Sequence, residues 1–353
     1  MVGPAPGGRG RLMTVVGLVT HSGAAQDVRR ITSLARTIDV HERVNVTARV
    51  LAGMAAVPGV RVLYLDEPTR LVERALATLA ALPEATTIDA RPAAGAEGRG
   101  AEQTRRAAAA LAGAEAACVV TFGGDGTNRA VAAGWPDAVI VPLAGGTNNA
   151  FAQPVDPTAA GLAAALYAED PDAFAAAVRR APRWLIAVPG RPRETALVDV
   201  ALVSDEWVGA HAVWDAGRLI EALVAGGDPA VPGLAGVAGM AGPADAAAPG
   251  VHLRFGRPGR RVLAPLGPGR LTPLWLRETR HVGVGEPVTM RGPGTLALDG
   301  ERELVLRAGE EARVHLSADG PRVLDAAAVL RAHARGRTEP PETTRRRTTT
   351  GGP

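Results

Sequence analysis

An α/β protein in two parts, a parallel sheet in three layers followed by a β-rich unit, is the fold class that the sequence predicts. Two observations carry the prediction. From Met13 to Arg180, short apolar runs alternate with helical patterns, the order that builds a parallel sheet covered on both faces. Beyond Arg180, short apolar runs follow one another closely with Gly and Pro between them, the mark of an all-β unit. The expected units are 1–12 as a disordered N-terminus, 13–182 as the α/β unit, 183–330 as the β-rich unit and 331–353 as a basic disordered tail.

Taken in order, VVGLV (Val15–Val19) is the first strand and DVRRITSLART (Asp27–Thr37) the helix after it. RVLYLD (Arg61–Asp66), TTIDA (Thr86–Ala90), AACVVTF (Ala116–Phe122) and AVIVPL (Ala138–Leu143) follow as strands, with helical patterns at Leu71–Leu82 and Glu102–Ala112. Alanine-rich stretches at Gly161–Glu169 and Ala173–Arg180 read as helices, and the boundary falls at Arg180–Pro182. WLIAV, ALVDVALV, EWVGAHAVW, VHLRF, RVLAPL, LTPLWL, GTLALDG, ERELVLRA and ARVHLSA then read as strands, interrupted by one helix at Arg218–Ala225. The glycine-rich VPGLAGVAGMAG (Val231–Gly242) reads equally as a loop against a ligand or a close-packed turn.

Composition excludes several classes. The chain has 353 residues and a net charge of +3, but much of the basic excess lies at its ends, in Arg9, Arg11 and six arginines from Arg331 onward. No basic helix or stacking aromatic motif accompanies the charge, so nucleic acid is not an expected partner. No long apolar run or signal-peptide core occurs, so no membrane is expected and a cytoplasmic location is. A single cysteine, Cys118, excludes an intrachain disulfide, and its place in an apolar strand makes it inert. The chain contains no lysine. That removes P-loop, protein-kinase and Schiff-base chemistry, each of which needs an amine. Arginine clamps phosphate but does not serve as a base.

Two glycine-rich turns follow successive strands: GGDGT (Gly123–Thr127) and GGTNNAF (Gly145–Phe151). Strand C-terminal ends share one rim of an open α/β sheet, where ligands bind, and glycines let backbone N–H groups approach phosphate. Thr127 and Thr147 offer hydroxyls to phosphate oxygens, and Asn128, Asn148 and Asn149 offer uncharged amides to a base or ribose. Asp125 cannot bind phosphate directly. It is left to accept a hydrogen bond from a substrate hydroxyl or to hold Mg²⁺. His211 reads as packing within a strand, and Arg29 and Arg30 as a solvated helix face.

GGDGT after a strand, followed by PLAGGTNNAF, resembles the superfamily of NAD kinases, diacylglycerol kinases and sphingosine kinases. VGLVTHSGAAQDVRRI, EWVGAHAVWDAGRLIEALVAGGDPAVPGLAGVAG and GTLALDGERE extend the resemblance to its ATP–NAD kinase-like, or acetoin-catabolism protein X, branch. The resemblance implies an ATP-dependent kinase acting on an alcohol, with NAD as acceptor, ATP and Mg²⁺ as cofactors and a role in NADP biosynthesis. It implies that Gly123, Gly124, Gly126 and Thr127 line the phosphates and that Asp125 orients or deprotonates the acceptor hydroxyl. Gly146, Thr147, Asn148 and Asn149 belong to the second nucleotide turn. Asp299 and Glu301 are implied to face the phosphates and help place Mg²⁺, although Asp299-Gly300 also reads as a plain hairpin turn. His21 and Ser22 stand where the superfamily has Asn-Pro, and the NAD kinase Asn-Glu and Gly-Ser-Thr-Ala-Tyr segments do not occur. The alternatives are a nucleotide-binding regulator without turnover and a lipid kinase of the diacylglycerol type. The sequence is compatible with a homo-oligomer.

Overall fold

The computed structural model describes residues 13–21, 34, 38–82, 86–93, 95, 100–146, 149–204, 215–242 and 249–336. Strands and helices alternate through the first half: β1 (Thr14–Thr20), α1 (Val40–Ala55), β2 (Val60–Tyr64), α2 (Leu71–Ala80), β3 (Asp89–Pro92), α3 (Gly100–Gly113), β4 (Cys118–Gly123), α4 (Asp125–Gly134), β5 (Val139–Ala144) and α5 (Pro157–Glu169). Then come β6 (Val178–Arg180), β7 (Arg183–Ala187), β8 (Glu194–Ala196), β9 (Asp199–Val203), β10 (Leu219–Ala225), α6 (Leu234–Ala241), β11 (Gly250–Gly267) and β12 (Arg270–Val282). The chain finishes with β13 (Pro287–Arg291), β14 (Gly294–Leu298), β15 (Glu301–Leu306), β16 (Glu311–Ser317), β17 (Arg322–Leu324) and α7 (Ala326–Gly336).

The expected α/β class is observed. A seven-stranded sheet has the order β3-β2-β1-β4-β5-β17-β6, parallel except for the β17–β6 pair. Its central strands β1, β4 and β5 bury both faces, as parallel strands between two helical layers do. Val16, Leu18 and Val120 face a core built with α1, α2, α5 and α7, whereas Val19, Val119 and Ile140 face α3 and α4. Helix α1 starts at Asp39, whose carboxylate accepts the Glu42 N–H at 2.8 Å, and α5 starts at Asp156 followed by Pro157. The two helices cross at backbone contact: a Cβ on Gly53 or on Gly161 would come within 2.0 Å of the facing carbonyl oxygen. Cys118 is buried, its Sγ donates to the Ala164 carbonyl oxygen, and burial pushes its thiol up to about 12.

The remaining strands form a six-stranded antiparallel sheet, β12-β11-β10-β9-β14-β15, and a four-stranded one, β13-β16-β7-β8. The two pack face to face around Trp184, Ile186, Leu202, Leu223, Leu298 and Val314. The other face of the six-stranded sheet carries α6 and receives Ala132 of α4, which turns this sheet toward the glycine turns.

Four expectations are corrected. Ala173–Arg180 is not a helix but a short 3₁₀ turn, Ala175–Ala177, and strand β6, which pairs with β17. Residues 219–225 form β10, a central strand between β9 and β11; its LIEALVA run is apolar enough to be buried on both sides, where periodicity does not separate helix from strand. The helix of this region is α6, inside the stretch read as a loop or turn. Finally, the β-rich unit does not run to Leu330, nor does a tail begin at Arg331: β17 pairs with β5 in the first sheet, and α7 extends to Gly336 with Val329 in that sheet's core. The first expected helix (Asp27–Thr37) lies almost wholly outside the described residues, as do residues 205–214 with His211, and also Arg29 and Arg30. Among the described residues no helix is long and apolar enough to cross a membrane.

The chain passes between the two halves twice, at 181–182 and 318–321, and the crossings touch. The Ala181 N–H donates to the Pro321 carbonyl at 2.9 Å. Arg183 donates to both Asp319 oxygens at 3.0 Å. Arg183 first, and Ser317 second, hold the Asp319 carboxyl down to about 2 from 3.8. The folded value lies below the unfolded one, so the stability gained is full above pH of about 4 and is lost as pH falls through about 2. Asp319→Asn is therefore expected to lower the melting temperature at neutral pH, with the gap from wild type closing as both are melted at pH 4, 3 and 2.

Candidate functional site

β4 ends at Gly123 and α4 begins at Asp125, so Gly124 alone makes the turn. Parallel β5 lies beside β4 with Ala144 in register with Gly123, so both glycine turns stand on the C-terminal rim of neighbouring strands. They are packed backbone to backbone. The Gly145 N–H donates to the Gly123 carbonyl at 2.9 Å. A Cβ on Gly146 would lie 2.6 Å from Gly124 Cα, and one on Gly145 would lie 2.8 Å from Gly123 N. Gly124 itself is less restricted, since its Cβ would meet only Gly146 Cα at 3.5 Å. Gly145 and Gly146, rather than Gly124, are the positions in the turns where a side chain would strike backbone.

The side chains hold these turns together. Asp125 accepts the Ala150 N–H at 3.0 Å on one oxygen and the Phe151 N–H at 3.1 Å on the other, tying the start of α4 to the second turn. A carboxylate belongs in this glycine turn because the neighbouring loop presents it with two donors. Asn149 closes its own turn, accepting the Gly146 N–H at 2.8 Å and donating to the Gly146 carbonyl at 2.9 Å. Asn128 is fully buried, accepting from Thr121 Oγ1 at 2.6 Å and donating to the Gly124 carbonyl at 3.3 Å. The amides of Asn128 and Asn149, expected to face a nucleotide, thus bond within the turns. The Thr127 side chain packs against Gly123, where a Cβ would come within 2.4 Å of its Oγ1. Thr147, Asn148 and Ser22 lie outside the described residues. His21 follows β1, its carbonyl accepting from Arg43 Nη1 at 2.8 Å.

Across a narrow cleft, Asp125 and Ala150 face Asp199, Asp299, Gly300 and the start of α6 at Gly233–Ala235. A second cavity shares Ala150, Val198 and Ala235 with it and is walled by Phe151, Arg179 and Asp228. Asp299 and Gly300 occupy the two-residue turn between β14 and β15 with φ of 52° and 79°, a left-handed pair typical of tight hairpins. The plain-turn alternative is therefore realised, but the Asp299 side chain does more. It is fully buried, accepts the N–H groups of Leu197, Val198 and Asp199 at 2.9, 2.8 and 3.3 Å, and meets Arg129 Nε at 3.3 Å. Desolvation pushes its carboxyl above the usual range, against the pull of Arg129 and these N–H groups. Arg129 Nη2 also lies 4.0 Å from Glu301.

This donor set does not fit the expected Mg²⁺ seat. Asp299 is surrounded by N–H donors that would point at a cation, Glu301 faces the same guanidinium, and among the described residues no group of three or more metal-ligating side chains converges. Arg129 and Asp199 are the site residues that sequence reasoning missed, whereas the start of α6 falls in the stretch read as a loop against a ligand or a turn and Phe151 ends the second glycine motif. Arg129 alone had a local signal, one helical turn after Asp125.

Fold and site define a class: a mixed α/β protein whose paired glycine turns face a carboxylate-lined cleft closed by a second, antiparallel β structure. Residues 183–319 match the family described as Acetoin catabolism protein X C-terminal domain. Acetoin catabolism protein X of Cupriavidus necator is 31% identical over 346 residues, covering 94% of this chain and 95% of that protein. The chain belongs to the acetoin catabolism protein X family. Among solved structures, yeast NADH kinase complexed with NADH superposes with a TM-score of 0.43 at 13% identity, over 94% of this chain and 89% of that one.

Proposed function

We propose that this protein binds ATP along the paired glycine turns and transfers its terminal phosphoryl group to a hydroxyl of a dinucleotide acceptor such as NAD. The observation that carries the reading is the cradle itself: two backbone turns in contact at one strand rim, with no room for a Cβ at Gly146 and with the first turn of α4 directed at the cleft. Backbone N–H groups at a helix start favour phosphate. Asp125 is fixed by its two N–H donors. Asp125 lines the cleft, where it is proposed to orient a substrate hydroxyl and take its proton. The adjoining cavity beside Phe151 is the proposed approach for the acceptor. Phosphoryl transfer asks mainly for positioning and charge stabilisation. Any Mg²⁺ is proposed to be carried by the nucleotide phosphates rather than by Asp299. Acetoin catabolism, after which the family is named, is the proposed physiological setting, and the cytoplasm is the proposed location.

A second reading, a nucleotide-binding regulator without turnover, is favoured by the carboxylates being engaged inside the protein, Asp299 most fully. Titration calorimetry with ATP, followed by incubation with ATP, Mg²⁺ and NAD and chromatography for NADP, separates the two. ATP binding with NADP formation supports the kinase; binding with no transfer to any tested alcohol supports the regulator. Gly146→Ala checks the location. The added methyl forces the turns apart, so ATP affinity is expected to fall at least tenfold, with a stability loss of about 1–3 kcal/mol from overpacking. Unchanged affinity in a folded Gly146→Ala protein removes the cradle from nucleotide binding.

A further inference from the structure

The two acidic residues of the β14–β15 hairpin share one partner, Arg129, and are held in different ways. Asp299 is immobile: three consecutive backbone N–H groups and Arg129 Nε converge on a side chain with no exposed surface. Such an N–H nest is an anion seat, filled here from within the chain. Glu301 is held at the surface of the cleft. Its side chain is 49% exposed, and the ion pair with Arg129 Nη2 is stretched to 4.0 Å. Its carboxyl group rests on Gly126 in the first turn of α4, where a Cβ would lie 3.4 to 3.5 Å from the carboxyl carbon and both oxygens. A half-exposed carboxylate therefore sits between a buried guanidinium and the first turn of the glycine-motif helix, at the positive end of that helix.

Resting on the nucleotide reading above, we propose that Glu301 occupies the place of a nucleotide phosphate, and that Arg129, anchored by Asp299, takes that phosphate when Glu301 swings out. The chain has no lysine, so a fixed cation beside the motif has to be arginine. The planar fork of Arg129 suits the exchange, because Nε keeps Asp299 while the Nη groups pass from carboxylate to phosphate. The hairpin that carries Glu301 belongs to the six-stranded sheet, so the exchange also couples nucleotide binding to the second half of the protein.

The test is calorimetry of ATP and of inorganic tripolyphosphate in EDTA, on wild type, Glu301→Gln, Arg129→Lys and the double variant, with melting curves to confirm folding. Gln keeps the shape of Glu and removes the competing charge. Glu301→Gln is expected to tighten both ligands by about tenfold at low salt, a gain that shrinks as salt rises. Arg129→Lys is expected to weaken both by about tenfold, and Glu301→Gln is expected to bring no gain in the Lys background. If Arg129→Lys does not fold, the Glu301→Gln result decides by itself. Equal affinities in wild type and Glu301→Gln overturn the proposal and leave the nucleotide reading standing. Weaker binding by Glu301→Gln also overturns it, since Glu301 would then assist the ligand. Wild type that binds neither ATP nor tripolyphosphate, with or without Mg²⁺, overturns the nucleotide reading and this proposal with it.

Discussion

Asp299→Ala is expected to lower the unfolding free energy by about 3–5 kcal/mol, the usual scale for leaving one member of a buried ion pair alone. Three backbone N–H groups and the Arg129 guanidinium converge on this carboxylate, and all would face an empty space. The hairpin would also lose a residue that tolerates φ of 52°, a conformation Asp adopts far more readily than Ala. Asp299→Asn separates the contributions. Its amide oxygen still accepts N–H groups, while its NH₂ opposes Arg129, so an intermediate loss is expected. Urea unfolding of the three proteins measures both. A loss under 1 kcal/mol for Asp299→Ala would show that water or a shifted side chain replaces the carboxylate.

Asp125→Asn is expected to lower phosphoryl transfer by about two orders of magnitude or more, the scale for losing a positioned general base. The substitution is less silent than its size suggests. Asp125 accepts from both Ala150 and Phe151, and Asn has one oxygen to offer, so one loop N–H is left against an NH₂ group. A stability loss of about 1–3 kcal/mol should accompany the kinetic effect. ATP affinity without metal is expected to survive, because a carboxylate beside the phosphates is gone. Turnover with ATP and NAD under saturating Mg²⁺, beside ATP affinity, checks both. Full turnover in the variant would confine Asp125 to capping the second turn.

The cradle was legible because its determinants are local. Apolar runs at Cys118–Phe122 and Val139–Leu143 lead straight into glycines, and neighbouring parallel strands had to bring those glycines together. Helix α1 escaped notice because Val40, Val44, Val46, Thr47 and Val50 are β-branched; its stability comes from packing on α5 and not from propensity. Helix α6 was hidden by Gly236 and Gly239, poor helix formers that are required because a Cβ on them would strike the Val231 carbonyl and the Pro229 nitrogen. Strand β17 is too short to stand out and finds its place only between β5 and β6. The role of Asp299 was not legible for a different reason. Its partners come from α4 and from the start of β9, and no local pattern joins a hairpin turn to a helix in the other half of the chain.

The paired crossings at 181–182 and 318–321 bear on how the cleft can open. A single connecting strand would act as a swivel, free to twist and tilt in any direction. Two strands bonded side by side behave as the leaves of a door hinge: they bend readily about the line joining them and resist twist. The four-stranded and six-stranded sheets together then form one leaf, with the glycine turns on the other. Bending about that single axis is opposed by the Asp299–Arg129 pair, which ties the hairpin of one leaf to α4 on the other, so the hinge and this buried pair together hold the two leaves in one register.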